Sequence, residues 1–175
     1  MATVTMAEKG YRDILIREGF HPPVTMRENG GVVFPGYVVT SEGETYPDVA
    51  LPDVKGDTAL GIAGLLENQD IDTIYATDDE IPIYLCGCGA IVKCYLAPNG
   101  GAPTFGEIMV SQGFEDNGYV ETWETAIKDS IAAGHAAFTS VWLTQVVSLY
   151  ALVGRAMETF ASTGKSEPLS ILLSI

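Results

Sequence analysis

Short apolar runs separated by turn-forming residues make up most of this chain. The run "GVVFPGYVVTSEG" contains two β-branched stretches broken by Pro35-Gly36 and closed by a polar turn. Similar runs follow at "TALGIAGLLE", "FGEIMVSQGFEDNGYVETWE", "VVSLYALVGRAMET" and "PLSILLSI". Frequent turn signals between short apolar runs are typical of all-β domains. The pattern therefore predicts a mainly β fold, built as a small antiparallel barrel or sandwich.

Two of the runs, "TALGIAGLLE" and "YALVGRAMET", carry nearly the same phrase. Each has Ala-Leu, then a Gly, one further residue and an Ala. At a period of two, Gly61 and Ala63 share one strand face, as do Gly154 and Ala156, so a neighbouring strand can approach closely. We interpret the copies as two matching strands of one barrel; the alternative is that small residues are simply common in tight barrels.

The longest apolar run is Ile81–Ala97, "IPIYLCGCGAIVKCYLA". It is the clearest strand territory in the chain, and Gly87 and Gly89 are expected to bend it. A further short strand is predicted at Thr73–Ala76, inside a polar loop. The run "FGEIMVSQGFEDNGYVETWE" is interpreted as two strands around the turn "EDNG".

One segment has helical spacing. Over Ala126–Ala137, Ile127 and Ile131 are four residues apart, which favours a short helix, with a long loop as the alternative. The overlapping stretch Ile131–Val153 is uncharged and long enough to cross a bilayer. It contains several polar side chains and has no flanking Lys or Arg cluster, so we expect no membrane association.

Residues 1–31 are predicted to be an N-terminal arm, and residues 32–175 the barrel domain. The arm ends in the chain breakers of "HPPVTMRENGG". Its middle is too apolar for a solvated tail and needs a surface, either on its own domain or on a neighbouring subunit. The apolar side chains of this middle part are Tyr11, Ile14, Leu15, Ile16 and Phe20.

The charge composition restricts the partners. The chain has 23 acidic and 9 basic residues, for a net charge of -14. Nucleic-acid binding depends on Lys and Arg neutralising phosphates, so nucleic acid is excluded as a direct partner. The acidity fits either a basic surface on a partner protein or solubility in concentrated salt. The N-terminus does not have the pattern of a signal peptide.

Residues capable of chemistry are few and dispersed. His21 and His135 have no partner suggested by spacing, and the chain lacks a nucleophile elbow, a phosphate-binding loop and a His-Glu-x-x-His motif. Cys86 and Cys88 are predicted to share one face of a strand, with Cys94 six residues further on. A zinc site needs a fourth ligand, so buried, inert thiols are favoured over a metal site. We therefore expect no enzyme activity, no metal and no cofactor.

The order of several phrases resembles a known family. "PGYVVT", "ALGIAGL", "DDEIPIYLCGCGAIVKCYLA", "GGAPTFGEIMVSQGFEDNGYV" and "LVGRAMETFASTGKSEPLSILLSI" are similar, in sequence and order, to the capsid decoration, or cement, proteins of tailed viruses. The match covers about residues 32–175, apart from 126–147, which looks like an insertion relative to the family pattern.

This resemblance implies a small β-barrel related to the β-tulip of head-decoration proteins. It implies a homotrimer on the outside of the virion, where it binds the major capsid protein, and an N-terminal strap that contacts the capsid through Tyr11, Ile14, Ile16 and Phe20. Large aromatic residues dominate protein contacts, so Trp123, Phe138 and Trp142 are predicted at a subunit interface, with core burial as the alternative. The alternatives are a turret or fibre-base component of the capsid, and a module that binds a metal or small molecule through the cysteines.

Overall fold

The fold is mainly β, as the run pattern predicts. A computed structural model describes residues 5–29, 32–42, 48–52, 58–112, 118–132, 152–161 and 164–173. Within these ranges the chain forms eleven strands and one helix. The strands build two small closed sheets rather than the single barrel expected from the sequence.

The first barrel closes in the strand order β2-β4-β3-β5-β6. Neighbouring strands are antiparallel except β2 and β4, which run parallel. The buried side chains that form its core are Met26, Val33, Val39, Val49, Ala63, Tyr75, Ile81 and Ile83. Its strands are β2 Val24–Glu28, β3 Val38–Ser41, β4 Asp48–Ala50, β5 Gly61–Ala63 and β6 Glu80–Leu85.

The second barrel has the strand order β7-β11-β10-β8-β9, and a parallel pairing of β9 with β7 closes the ring. A three-residue strand, β1 (Leu15–Arg17), pairs with β7 outside this ring. Each ring thus contains one parallel pair, which corrects the purely antiparallel expectation. The strands of the second barrel are β7 Ile91–Leu96, β8 Ile108–Gln112, β9 Tyr119–Thr122, β10 Leu152–Ala156 and β11 Glu167–Leu172.

The two barrels have the same topology. Strands β2 to β6, taken in chain order, correspond one by one to β7 to β11, and the parallel pair joins the first and third strand of each set. The pairing registers also agree. Val39 lies opposite Gly61 in the first barrel, and Met109 lies opposite Gly154 in the second. The chain is therefore an internal duplication of one five-stranded unit.

Individual hydrogen bonds repeat as well. The Gly36 N–H donates to the Ala63 carbonyl at 2.8 Å, and the Gly106 N–H donates to the Ala156 carbonyl at 2.8 Å. Core positions are buried in both copies; the corresponding pairs are Met26 and Cys94, Val39 and Met109, Val49 and Val120, Ile81 and Leu169, and Ile83 and Ile171. The repeated phrase belongs to this duplication, one copy in each barrel, so the interpretation of two strands of one barrel is wrong.

The run Ile81–Ala97 is not one bent strand. It comprises β6 and β7, which belong to different barrels, joined by a turn in which Gly87 (φ 85°) and Gly89 (φ 76°) adopt left-handed backbone conformations. The turn is closed by a hydrogen bond from the Cys88 N–H to the Leu85 carbonyl at 3.1 Å, and glycine adopts its left-handed conformations without steric cost. This turn passes the chain from one repeat to the next.

The predicted strand at Thr73–Ala76 does not form. Two turns flank this segment, closed by hydrogen bonds from Thr73 N–H to Asp70 O at 2.9 Å and from Asp79 N–H to Ala76 O at 3.0 Å. The stretch between them is too short to pair as a strand. Tyr75 instead anchors the loop, because its buried side chain donates a hydrogen bond to the Gly64 carbonyl.

The helix, α1, spans Trp123–Ala132 and starts three residues earlier than predicted. Thr122 caps it, since its hydroxyl accepts a hydrogen bond from the Thr125 N–H at 3.2 Å. The helix lies in the connection 123–151 between β9 and β10, where the first repeat has only residues 51–60. The predicted insertion at 126–147 falls within this longer connection; positions 133–147 lie outside the described residues.

The predicted N-terminal arm contributes to both barrels. Strand β1 pairs with β7 of the second barrel, and β2 is part of the first. The arm therefore packs on its own domain, which was one of the two surfaces expected from the sequence; the other was a neighbouring subunit. Met6 and Ile14 are fully buried there, in a cluster that contains side chains of both barrels.

We expect Gly61→Ala and Gly154→Ala to destabilise the protein to a similar extent. A Cβ atom at either position would lie under 3.0 Å from a backbone carbonyl oxygen, that of Tyr84 or of Leu172. Such overpacking should lower the free energy of unfolding by about 3 kcal/mol in each variant, measured by urea denaturation.

Gly10→Ala is the control for this pair. Gly10 has a positive φ and no heavy atom within 4 Å of the position of an added Cβ, so only the backbone penalty of about 1 kcal/mol applies. A Gly61→Ala or Gly154→Ala variant as stable as wild type would contradict the close approach of the strands.

Candidate functional site

The four predicted contact residues of the arm fall into two groups. Ile14 is fully buried and Tyr11 half-buried, whereas Ile16 is 51% exposed and Phe20 is 89% exposed. Regular strand alternation would place Ile14 and Ile16 on one face, but Ile14 precedes β1 and the pairing register of β1 shifts between Leu15 and Arg17, so the two side chains differ in exposure. Of the four, Ile16 and Phe20 are the most accessible to a partner.

The inward group holds the arm against the second barrel. The Lys93 N–H donates to the Ile14 carbonyl at 2.8 Å, and the Lys93 ammonium lies 4.3 Å from the centre of the Tyr11 ring. The same ammonium pairs with Glu158 at 3.0 Å, and the Glu158 carboxylate also accepts the Ser170 N–H at 2.6 Å. A cation over an aromatic ring, paired with a carboxylate, explains how a buried lysine is tolerated.

The Glu158 carboxyl keeps its charge in this setting. Partial burial acts to raise its pKa, but the hydrogen bond from the Ser170 N–H and the hydrogen bond and charge of Lys93 outweigh burial, so the pKa lies below the ordinary value. Lys93 is 5% exposed and Glu158 is 39% exposed. Breaking the ion pair would therefore be more costly for the buried ammonium of Lys93 than for the carboxylate of Glu158, which solvent can reach.

Ile16 and Phe20 are the exposed apolar side chains of this segment, and we refer to the two together as the apolar ridge. The Phe20 N–H donates to the Cys88 carbonyl at 2.7 Å, and the Phe20 ring covers Gly89, where a Cβ atom would come within 3.0 Å of it. The turn between the barrels thus fixes the backbone below the ridge. A groove of about 290 Å³ adjoins it, lined by Leu15, Glu18, Gly19, Phe20, His21, Pro22, Pro23 and Tyr84.

The aromatic residues predicted at a subunit interface are only partly described. Trp123 is half-buried at the start of α1 and packs with Val110 and Ala126 against the second barrel. Phe138 and Trp142 lie outside the described residues. Their role at an interface stays a prediction.

The thiols lie in two different environments. Cys94 is fully buried in the second barrel, while Cys86 and Cys88 lie in or next to the turn between β6 and β7. The prediction that Cys86 and Cys88 share a strand face is wrong, because the strand ends at Leu85. Burial, and to a lesser extent Cys88, raises the pKa of the Cys86 thiol to about 12, which leaves it protonated and unreactive at neutral pH.

Metal-binding residues do not converge in the part of the chain that the structure describes. It contains no group of three or more His, Cys, Asp and Glu side chains placed to hold an ion. No helix within the described ranges is both long and apolar enough to cross a membrane. Most of the apolar stretch Ile131–Val153, at positions 133–151, lies outside those ranges.

A cleft of about 220 Å³ lies at the junction of the two barrels. Its walls come from both repeats, from the loop between β5 and β6, and from the arm; they are Thr5, Phe34, Tyr37, Asp72, Tyr95 and Tyr119. The ring centres of Tyr37 and Tyr119 are 5.1 Å apart, and the two hydroxyls are hydrogen-bonded at 3.0 Å. Tyr37 meets Tyr95 edge to face at 5.6 Å. We refer to this site as the junction cleft.

Sequence reasoning missed the junction cleft because its side chains come from five separate segments. The duplication offers a comparison that shows how it differs from the first barrel. By register, Tyr95 and Tyr119 of the parallel pair in the second barrel correspond to Arg27 and Asp48 in the first. One repeat carries an ion pair where the other carries two tyrosines.

In the first repeat, Arg27 and Asp48 form an ion pair at this position. Arg27 donates two hydrogen bonds to the Asp48 carboxylate, from Nε and Nη2, each 2.8 Å long. These hydrogen bonds, more than the attraction between the charges, hold the pKa of Asp48 below its ordinary value. The carboxylate of the first repeat is therefore satisfied within the chain.

The comparisons with known proteins do not identify a family. No protein-family profile matches the chain, and no curated protein matches it in sequence. The resemblance to capsid decoration proteins therefore depends on the motifs quoted above.

Replacing Ile14 or Ile16 by Ala is expected to have very different effects. Ile14→Ala removes a fully buried side chain and should cost about 2–5 kcal/mol of unfolding free energy. Ile16→Ala changes a half-exposed side chain two residues away and should cost less than about 1 kcal/mol. Urea denaturation of both variants measures the difference, and equal costs would contradict the burial of Ile14 and the exposure of Ile16.

We expect Glu158→Gln to destabilise the protein more than Lys93→Met. The first change leaves a buried ammonium without its carboxylate and should cost about 1–3 kcal/mol, a range reduced for the partial exposure of Glu158. The second leaves a carboxylate that solvent can reach and should cost less than about 1 kcal/mol.

The pH dependence of the unfolding free energy is the control for the Glu158→Gln prediction. Because the pKa of Glu158 is lowered in the folded state, its contribution is complete above the unfolded value of about 4.3 and is lost as the pH falls through the folded value. Glu158→Gln should lack this part of the acid destabilisation. A wild-type and a variant protein with parallel stability profiles below neutral pH would refute the contribution of the pair.

Proposed function

We propose that this chain is a structural, non-enzymatic virion protein that decorates the outer surface of a capsid and binds the major capsid protein. The observation that carries the proposal is the apolar ridge. Phe20 is 89% exposed and Ile16 is 51% exposed, both on a segment that is tied to the folded core. Together with the family resemblance in the order of the motifs, this surface favours protein binding over chemistry.

The ridge has the properties of a contact anchor. Large aromatic side chains supply most of the energy of protein interfaces when a partner covers them. The backbone of Phe20 is already tied to Cys88, so little further ordering is needed on binding. A cement protein also benefits from repetition, because many copies on one shell add modest contacts through effective concentration.

The closed barrels and the charge of the chain are consistent with this role. Closure of a sheet removes the free edges through which β-proteins associate without specificity, which matters for a protein held at high local density. A net charge of -14 favours a partner surface of opposite sign and disfavours nucleic acid. The partner would therefore present a basic patch around an apolar pocket.

Two further elements belong to the proposal. We place the protein in the virion as a homotrimer, with Trp123 near the contact between subunits together with Phe138 and Trp142. A turret or fibre-base component would use the same surfaces, and the number of copies per particle distinguishes it from a decoration protein. A metal- or ligand-binding module based on the cysteines is less well supported, because Cys88 and Cys94 are buried.

The test is binding to expanded heads of the virus that encodes the chain. Purified protein should co-sediment with heads lacking it, saturate at a fixed number of copies, and raise the temperature at which the heads disrupt. Phe20→Ala should abolish or weaken both effects by at least about tenfold, the loss expected for an aromatic anchor. Heads whose disruption temperature does not respond to saturating wild-type protein would refute the proposal.

Phe105→Ala is the matched control. Phe105 is the same residue type, is 67% exposed and lies in the connection between β7 and β8, so the substitution removes a comparable apolar surface at another place. It should leave head binding unchanged. If the two variants lose binding equally, the apolar ridge is not the docking site.

A further inference from the structure

We propose that the junction cleft binds a cationic group, an ammonium or a guanidinium, such as the end of a Lys or Arg side chain. This inference goes beyond the decoration role and does not rest on it. It starts from the walls of the cleft, which combine four aromatic rings with one carboxylate. Aromatic faces attract cations, and more strongly where water is partly excluded.

The aromatic walls are held in place before any ligand binds. Tyr37 contacts Phe34, Tyr95 and Tyr119 at ring-centre distances of 5.1 to 5.6 Å, with tilted or perpendicular planes. The Tyr95 hydroxyl accepts the Met6 N–H at 3.1 Å, which fixes a third element against the cluster. A ligand would therefore meet a preorganised surface and would not have to order these side chains.

The carboxylate of Asp72 gives the junction cleft a negative charge. Its Oδ1 atom is sealed from solvent and receives no hydrogen bond from the described residues. The carboxylate also lies near the Tyr95 hydroxyl: burial is the main cause that raises the pKa of Tyr95 to about 12, and the Asp72 charge and a hydrogen bond to the Asp72 carboxylate add to it. A hydroxyl donor does not neutralise the charge of this carboxylate, and a nearby cation would offset the cost of burying its Oδ1 atom.

The first repeat contains a cation at the position that corresponds to the junction cleft. In the first barrel the corresponding position of the parallel strand pair holds a guanidinium on a carboxylate, Arg27 on Asp48. In the second barrel, tyrosines replace both residues, and the carboxylate comes from Asp72 of the neighbouring repeat. The described residues supply the junction cleft with an acid and aromatic faces but with no ion pair to Asp72.

The size of the cleft restricts the ligand. A volume of about 220 Å³ is below the range of about 300–1,000 Å³ for sites that enclose small molecules and cofactors. It suits the end of a side chain or a small alkylammonium ion. The net charge of -14 adds a general attraction for cations of either source.

The test compares choline with 3,3-dimethylbutan-1-ol, its uncharged isostere, at constant ionic strength. Binding is followed by NMR through the ring signals of Tyr37, Tyr95 and Tyr119 in the full-length wild-type protein. Choline should shift these signals saturably and bind at least about tenfold more tightly than the neutral alcohol. Equal affinities, or no saturable shift with choline, N-acetylarginine amide or N-acetyllysine amide, would overturn the proposal.

The two blocked amino acids distinguish the sources of the cation. Tighter binding of either amide than of choline assigns the site to a side chain of a partner protein, and the reverse order assigns it to a free alkylammonium ligand. Both orders support a cation site. These titrations contain no capsid, so failure here and failure of head binding are separate outcomes.

Asp72→Asn and Asp70→Asn are the matched variants. Both remove one negative charge from the same loop, but Asp70 is exposed outside the junction cleft, whereas Asp72 lines it. Asp72→Asn should weaken cation binding by about tenfold, and Asp70→Asn should leave it unchanged. If both weaken it equally, the effect comes from overall charge, and the site is refuted.

Discussion

In both five-stranded barrels a glycine lies where any larger side chain would clash with the backbone of the neighbouring strand. Gly61 lies against the Tyr84 carbonyl and Gly154 against the Leu172 carbonyl, and neither position has room for a Cβ atom. The buried Ala63 and Ala156 follow two residues later, on the same strand face. The repeated phrase in the sequence is therefore a steric requirement that each small barrel meets separately.

Around this shared constraint the two repeats keep several equivalent apolar core positions, as with Ile83 and Ile171. The partly buried ion pair of the first repeat corresponds to two tyrosines in the second, which face the junction between the barrels. The second repeat also carries α1 in the connection where the first has a short loop. The two repeats share one scaffold, and a difference between them contributes two tyrosines to the junction cleft.

Both candidate sites depend on how the N-terminal segment is attached. Its inward side chains, such as Ile14 and Met6, fill the space between the barrels, while Ile16 and Phe20 point away from them. Lys93, held by Glu158 and covered by Tyr11, secures the same segment. A segment anchored in this way can present an exposed aromatic side chain at low entropic cost, which suits a protein whose function is contact and not catalysis.

Local physics was enough to predict the β class, the paired strands β8 and β9 and the burial of Cys88 and Cys94, because period-two patterning and turn residues act within a few positions. The sequence also determined that Gly61 and Gly154 are equivalent, through their repeated context. Only the tertiary structure decided that Ile81–Ala97 crosses between two barrels, that Ile14 is buried while Ile16 is exposed, and that Tyr37, Asp72, Tyr95 and Tyr119 meet in one cleft. These features depend on pairing between distant segments, which no local pattern specifies.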